Sequence, residues 1–346
     1  MYEKNLKIKK QKDATVEIEG EIPADILERH RGRIFEEFRA HAETPGFRKG
    51  RVPEHIAREL MNEKHLLEEA AYAAIEEQYP VILGENDIDP VTSPRISITK
   101  LAFGSPIGFK MSVGTEPEFS LPNYKKIAKK IFENRQDPEV TEKEIEDVVT
   151  QIRIMRGPVK NGGKDGGMEA EELTDEFVKT LGAFENVADF RKKIRENILE
   201  EKRDSQKREY REKIAESLIE NTKITLPPML VEDDFDRLMQ NVDDQLKKNE
   251  TTRKEYFSKI KKSEEEFEKE QRSYIERQYK TKFILEKIAE EEHILPSKEE
   301  VENELAGFLA YHKDADPERA EERLSEVIRN EKTLAFLESF GKEEKK

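Results

Sequence analysis

The sequence predicts an α+β N-terminal domain joined to an extended, mainly α-helical C-terminal domain with protruding arms. Three observations lead there. Within the first 120 residues, segments that alternate apolar and polar side chains are interleaved with segments of helical period. From Leu173 onward the pattern is almost wholly helical. The composition, 35% hydrophobic against 40% charged, suits long, solvent-washed helices better than one thick core. At 346 residues the chain can hold two or three domains.

Residues 6–8 and 15–19 alternate with period two, as half-buried strands do. Residues 24–42 carry Ile26, Leu27, Ile34, Phe35 and Phe38 at helical spacing. A second long helix is expected over 65–83, with Leu66, Ala70, Ala73, Ala74 and Tyr79 on its buried face. Residues 95–99 and 109–113 alternate again, and Pro117 and Pro122 close a first domain at 1–120. A connector follows over 121–156, containing a short helix entered through Thr141 and Glu144 at capping-box spacing. Residues 157–172 hold five glycines and read as a flexible linker. No strand precedes this passage and no Gly-Lys-Ser/Thr triplet occurs in it, so it is not a phosphate-binding loop.

The expected helical domain spans 173–340, with a tail at 341–346. Phe190, Ile194 and Ile198 form one apolar stripe; Tyr210, Ile214 and Leu218 form another. Residues 200–209 between them contain no apolar side chain, so a helix through them is expected to protrude into solvent. Pro227 and Pro228 break it. Val231, Phe235, Leu238, Val242 and Leu246 define the next amphipathic helix, followed by helices over 274–288, 298–311 and 316–340.

The densest local signal is Pro45-Gly46-Phe47-Arg48-Lys49-Gly50-Arg51-Val52-Pro53. Glycines permit positive φ, and prolines restrict entry and exit, so Phe47, Arg48 and Lys49 are expected at the tip of a tight loop. An apolar ring beside cations suits an anionic partner that also offers an apolar dent. The competing reading is an ordinary charged connection between helices. Net charge is −15, yet residues 1–60 carry 13 cations against 12 anions, while 61–120 carry 4 against 10. A basic tip on an acidic body favours one chosen anionic surface and disfavours general nucleic-acid affinity.

This loop, with Phe35-Glu36-Glu37-Phe38 upstream and Val16-Glu17-Ile18 near the start, resembles the signature of the bacterial trigger factor family. Glu172-Leu173-Thr174-Asp175-Glu176-Phe177 and Lys223-Ile224-Thr225-Leu226-Pro227 resemble the entry to that family's helical domain and its arm junction. The resemblance implies an ATP-independent chaperone docking on the large ribosomal subunit at the exit tunnel, where it meets ribosomal protein and rRNA. Gly46, Phe47, Arg48, Lys49, Gly50, Arg51 and Pro53 would form the ribosome-binding element. Nascent and unfolded polypeptides would be the clients, with Met229, Leu230 and Met239 as candidate contacts because thioethers adapt to varied shapes. Packing between arm helices is the competing reading for these three. The resemblance also implies a homodimer off the ribosome. The family's central peptidyl-prolyl isomerase domain is missing, and the glycine-rich passage stands in its place. An alternative is a ribosome-independent helical chaperone or interaction protein with a SurA-like body and no catalytic activity.

Catalytic chemistry finds little support in the residues. Cysteine is absent, so thiol nucleophiles and disulfides are excluded. The six histidines make no His-Glu-x-x-His arrangement, no Gly-x-Ser-x-Gly elbow occurs, and no cofactor or metal is expected. The N-terminal residues lack an apolar run after their lysines, and no stretch reaches membrane-spanning length, so a cytoplasmic location without membrane contact is expected.

Overall fold

In the computed structural model, the described residues are 6–133, 135–156 and 172–340. The expected tail lies outside them, as does the expected linker apart from residue 172. The chain divides into two compact units. One comprises residues 1–120 with 222–283; the other comprises 121–221 with 284–346. The helical stretch expected as one domain over 173–340 is therefore shared between both units.

The first unit is built on a four-stranded antiparallel sheet of order β1-β2-β4-β3. Its strands are β1 (Lys7–Lys10), β2 (Thr15–Ile22), β3 (Arg95–Lys100) and β4 (Ile107–Gly114). The period-two pattern of β2 becomes strict alternation of burial, with Val16, Ile18, Gly20 and Ile22 inward. Val16 pairs with Val113 and Ile18 with Met111, which aligns the buried sets of both central strands. Helices α1 (Ala24–His41) and α3 (Glu63–Glu85) pack together over this face. Leu27, Ala70, Ala74 and Ile75 join Phe109 and Met111 in the core. Asn62 caps α3, accepting from the backbone N–H of Lys64 (3.0 Å) and His65 (3.4 Å). The helix continues through Pro80, whose missing N–H falls on an exposed turn, while Ile82 and Leu83 beyond it are buried.

A shorter helix, α2 (Glu54–Leu60), opens directly after Pro53. Residues 222–283 add α8 (Pro228–Lys248), α9 (Arg253–Ile260) and α10 (Glu264–Glu291) as far as Phe283. Phe235, Met239 and Ile275 form one small core there; Ile224, Leu226, Leu230 and Phe283 form another. The Arg272 guanidinium lies 3.6 Å from the centroid of the Phe235 ring and pairs with Glu232 and Glu268.

The second unit contains α4 (Tyr124–Phe132), α5 (Glu142–Arg156), α6 (Asp175–Leu181), α7 (Val187–Glu220), the end of α10, α11 (Lys298–Tyr311) and α12 (Pro317–Ser339). The capping box read at α5 forms: Glu144 accepts from the Thr141 N–H and hydroxyl, and the Thr141 oxygen accepts from the Glu144 N–H. Ile145 and Val149 meet Phe177, Val178, Phe190 and Ile194 in the core of this unit. Arg211 ties α7 to α12 through Glu331 (2.8 Å) and Glu338 (2.5 Å).

Helix α4 occupies part of the connector in which only the helix entered at Thr141 was expected. The polar stretch 200–209 is solvent-washed as expected, only Lys202 and Gln206 being half-buried, and on that side it makes polar contacts. Lys202 pairs with Glu144 (2.5 Å) and donates to the Glu139 carbonyl (2.7 Å), and Gln206 donates to the Gln136 carbonyl (2.8 Å). Carbonyl groups along residues 136–139 supply the acceptors, so that side needs no apolar side chain to be covered.

Candidate docking loop and exposed apolar surface

The loop between α1 and α2 rests on a small apolar cluster of its own. Phe35, Ala42, Val52, Ala57 and Leu66 are buried there, flanked by Ile34, Phe38, Ile56 and Met61. Ala42 and Val52 bracket the loop, so its two ends are fixed by burial. Inside these anchors the backbone closes on itself. Phe47 N–H donates to the Thr44 carbonyl (3.1 Å), Arg51 to Arg48 (2.9 Å) and Gly50 to Ala42 (3.1 Å). Gly46 has φ +91 and Gly50 has φ +74. At Gly50 a Cβ would meet the Ala40 carbonyl oxygen at 2.6 Å, so the position excludes side chains for two reasons.

The tip therefore faces outward. Phe47 is 40% exposed, and Arg48, Lys49 and Arg51 are exposed. None of these three cations has a hydrogen-bonded or ionic side-chain partner among the described residues. The neighbouring arginines differ. Arg58 pairs with Glu54 (2.8 Å) and lies over the Phe35 ring (4.7 Å), and Arg39 pairs with Glu36 (2.6 Å). Hydrogen bonding from Arg58, with the charge of Arg58 behind it, holds the Glu54 carboxyl below its usual range. The base of the loop is thus charge-compensated, whereas the tip presents three uncompensated cations around one apolar ring.

The other three candidates sit elsewhere. Met229 is 6% exposed, and its sulfur accepts from the Thr92 hydroxyl at 3.0 Å. Leu230 (6%) belongs to the Ile224–Leu226–Phe283 cluster and Met239 (8%) to the Phe235–Ile275 cluster. As arranged here, these side chains are interior packing, the competing reading given for them above. Part of what they meet lies far along the chain, Thr92 for Met229, Phe283 for Leu230 and Ile275 for Met239, which the local pattern could not reveal.

Exposed apolar groups lie instead on segments the sequence reading did not single out. In the second unit, α11 runs Leu305-Ala306-Gly307-Phe308-Leu309-Ala310-Tyr311 without a charge, and none of the seven is buried. Tyr311 is 89% exposed, and Leu295 just before the helix is 72% exposed. The signal was present in the sequence as seven uncharged residues in a chain that is 40% charged. No helix among the described residues is long and apolar enough to cross a membrane, so this run is not part of a helical membrane span.

The sheet-and-helix unit with its outward cationic loop, together with a helical unit that leaves apolar side chains open, defines a protein built around surfaces for binding. Comparison with known proteins gives this class its family. The family model described as bacterial trigger factor protein matches residues 4–152, and that described as its C-terminus matches 186–346. The chain belongs to the bacterial trigger factor family, one of ribosome-associated chaperones. Among relatives, the trigger factor of Clostridium beijerinckii is 23% identical over 419 aligned positions, covering 96% of this chain and 98% of the relative. That of Moorella thermoacetica is 23% identical over 415 positions, covering 94% and 92%. Both alignments are longer than the 346 residues of this chain, so each relative carries residues with no counterpart here. A solved structure, from work on promiscuous substrate recognition in folding and assembly by the trigger factor chaperone, covers 96% of this chain and 99% of its own. Its TM-score is 0.54 at 19% identity, a likeness of fold.

Proposed function

We propose that this protein is an ATP-independent cytoplasmic chaperone that docks at the ribosomal exit tunnel through residues 46–53 and shields nascent or unfolded chains. The observation that carries the reading is the loop tip: an exposed Phe47 among Arg48, Lys49 and Arg51, all uncompensated, held by two positive-φ glycines on a buried base. Phe47 enters an apolar dent on a ribosomal protein at the tunnel rim, while the cations pair with rRNA phosphate or acidic side chains. Gly46, Gly50 and Pro53 shape the loop and make no contact of their own. The acidic remainder of the chain limits attachment to this point.

Clients meet exposed apolar side chains such as Phe308 and Tyr311 on α11, which replace Met229, Leu230 and Met239 as the contacts. Off the ribosome the protein self-associates as a homodimer. Isomerase activity of the family's central domain is absent. The matched segments leave only residues 153–185 between them, and Leu173, Phe177, Val178, Leu181 and Phe184 of that stretch already belong to the core around Ile145 and Val149. What remains is far below the roughly 40 residues that fold alone without metals or disulfides, and the chain has no cysteine.

Co-sedimentation with ribosomes at low and moderate salt tests the docking. Wild-type protein is expected to pellet with the large subunit, more weakly as salt rises. Phe47→Ala/Arg48→Ala/Lys49→Ala is expected to stay in the supernatant with its melting temperature unchanged. Equal pelleting of the two proteins would reject the loop as the docking element.

A further inference from the structure

Where α4 ends against α7, the second unit holds a cavity of about 220 Å³ whose chemistry differs from that of the rest of the molecule. Its apolar floor is made by Phe132 and Tyr210, with ring centroids 5.2 Å apart. Three cations stand around it: Arg135, Arg203 and Lys207. The latter two lie one turn apart on α7, are exposed, and have no ionic partner among the described residues. Arg135 is half-buried over the Tyr210 ring, its guanidinium carbon 5.9 Å from the centroid. Its Nε–H is shut off from solvent and has no acceptor.

Two carboxylates also line the cavity. Glu338 pairs with Arg211 at 2.5 Å, an arginine it shares with Glu331, so Glu338 and Asp204 stand against three lining cations. The cavity is thus net positive on a chain of net charge −15. We propose that it binds a small phosphate-bearing anion, either inorganic phosphate or a phosphomonoester. Arg135 lines the cavity with its guanidinium held over the Tyr210 ring, and a planar, ring-held guanidinium favours paired hydrogen bonds to two phosphate oxygens. Arg203 and Lys207 neutralise the second negative charge, and the Tyr210 face accommodates a flat group carried by an ester. With room for about seven waters at roughly 30 Å³ each, the cavity admits a phosphate group and a few further atoms.

Calorimetric melting of the full chain, titrated with sodium phosphate or phenyl phosphate against chloride at equal ionic strength, tests the site. The expected result is a saturable rise in melting temperature with phosphate and none with chloride. A larger rise with phenyl phosphate identifies a phosphomonoester as the ligand; equal rises identify the free anion. Arg203→Ala/Lys207→Ala, at exposed positions, is expected to fold normally and to weaken binding at least tenfold. Arg135→Lys, which keeps the charge and removes the fork, is expected to weaken it similarly. The Phe47→Ala/Arg48→Ala/Lys49→Ala protein binds as wild type, so this site and the docking loop succeed or fail separately. A rise that does not saturate, one matched by chloride, or one that survives in Arg203→Ala/Lys207→Ala overturns the proposal.

Discussion

Gly50 shows how one residue controls the presentation of the tip. Its φ of +74 lies where side chains are strained, and the Ala40 carbonyl closes the space a Cβ would need. Gly50→Ala therefore has to move the backbone at the base of the loop. The expected cost is about 1–3 kcal/mol in urea unfolding, with weaker ribosome binding even though every docking side chain is kept. Gly46→Ala, which has the same strain but open space around it, is expected to cost less. If the two variants were equally stable, the carbonyl contact would play no part. The residue scale was also the most legible in sequence. Glycine and proline dictate backbone geometry locally, so the turn at 46–53 was readable without knowing what lay around it. Burial is not local, which is why the two readings of Met229 and Met239 could not be separated in the sequence.

At the scale of elements, helix starts followed from short-range chemistry and helix coverage did not. Thr141 with Glu144, and Ser297 at the head of α11, form the capping boxes that their spacing allows. Glu144 does more than cap. Its carboxyl is held at about 2, first by the hydrogen bond from Lys202 on α7 and then by the Thr141 N–H and hydroxyl. Because the folded value lies below the unfolded one of about 4.3, its contribution to stability is present at neutral pH. That contribution is lost as pH falls from about 4 through about 2. Glu144→Gln is accordingly expected to melt below wild type at pH 7, with the gap narrowing as pH falls and closing near pH 2. A gap independent of pH would assign the loss to packing. Nothing in the sequence of 200–209 indicated that Lys202 and Gln206 would find partners along 136–144, since those partners are remote and several are backbone carbonyls. Helix α4 was missed for a related reason. Its nine residues are too few to declare a period, and its burial of Tyr124, Ala128 and Phe132 is settled by what packs against it.

Across the whole molecule, the function proposed above, docking at one loop with open apolar side chains for clients, predicts holding without isomerisation. The protein is expected to suppress aggregation of a denatured client in the absence of nucleotide and to leave a proline-limited refolding step no faster. Acceleration of that step at catalytic concentrations would contradict the reading of residues 153–185. Phe308→Ser/Tyr311→Ser changes exposed positions and is expected to keep the melting temperature while reducing suppression several-fold. Met239→Ala acts in the opposite way, costing about 2–5 kcal/mol of stability through the cavity it opens beside Phe235 and Ile275. If the α11 variant protects clients as well as wild type, the contact surface lies on other exposed groups.

By itself the sequence determined the order of the strands and the longer helices, the glycine and proline frame of the 46–53 loop with its cations, and the family to which these belong. Each depends on backbone preferences and spacing within about ten residues. Only the tertiary structure decided which apolar side chains remain open, how 222–283 joins the sheet unit, and which cations are left without a carboxylate. Burial and charge compensation are properties of pairs, and the partners of Met229, Lys202 and Arg211 lie between 58 and 137 residues away along the chain.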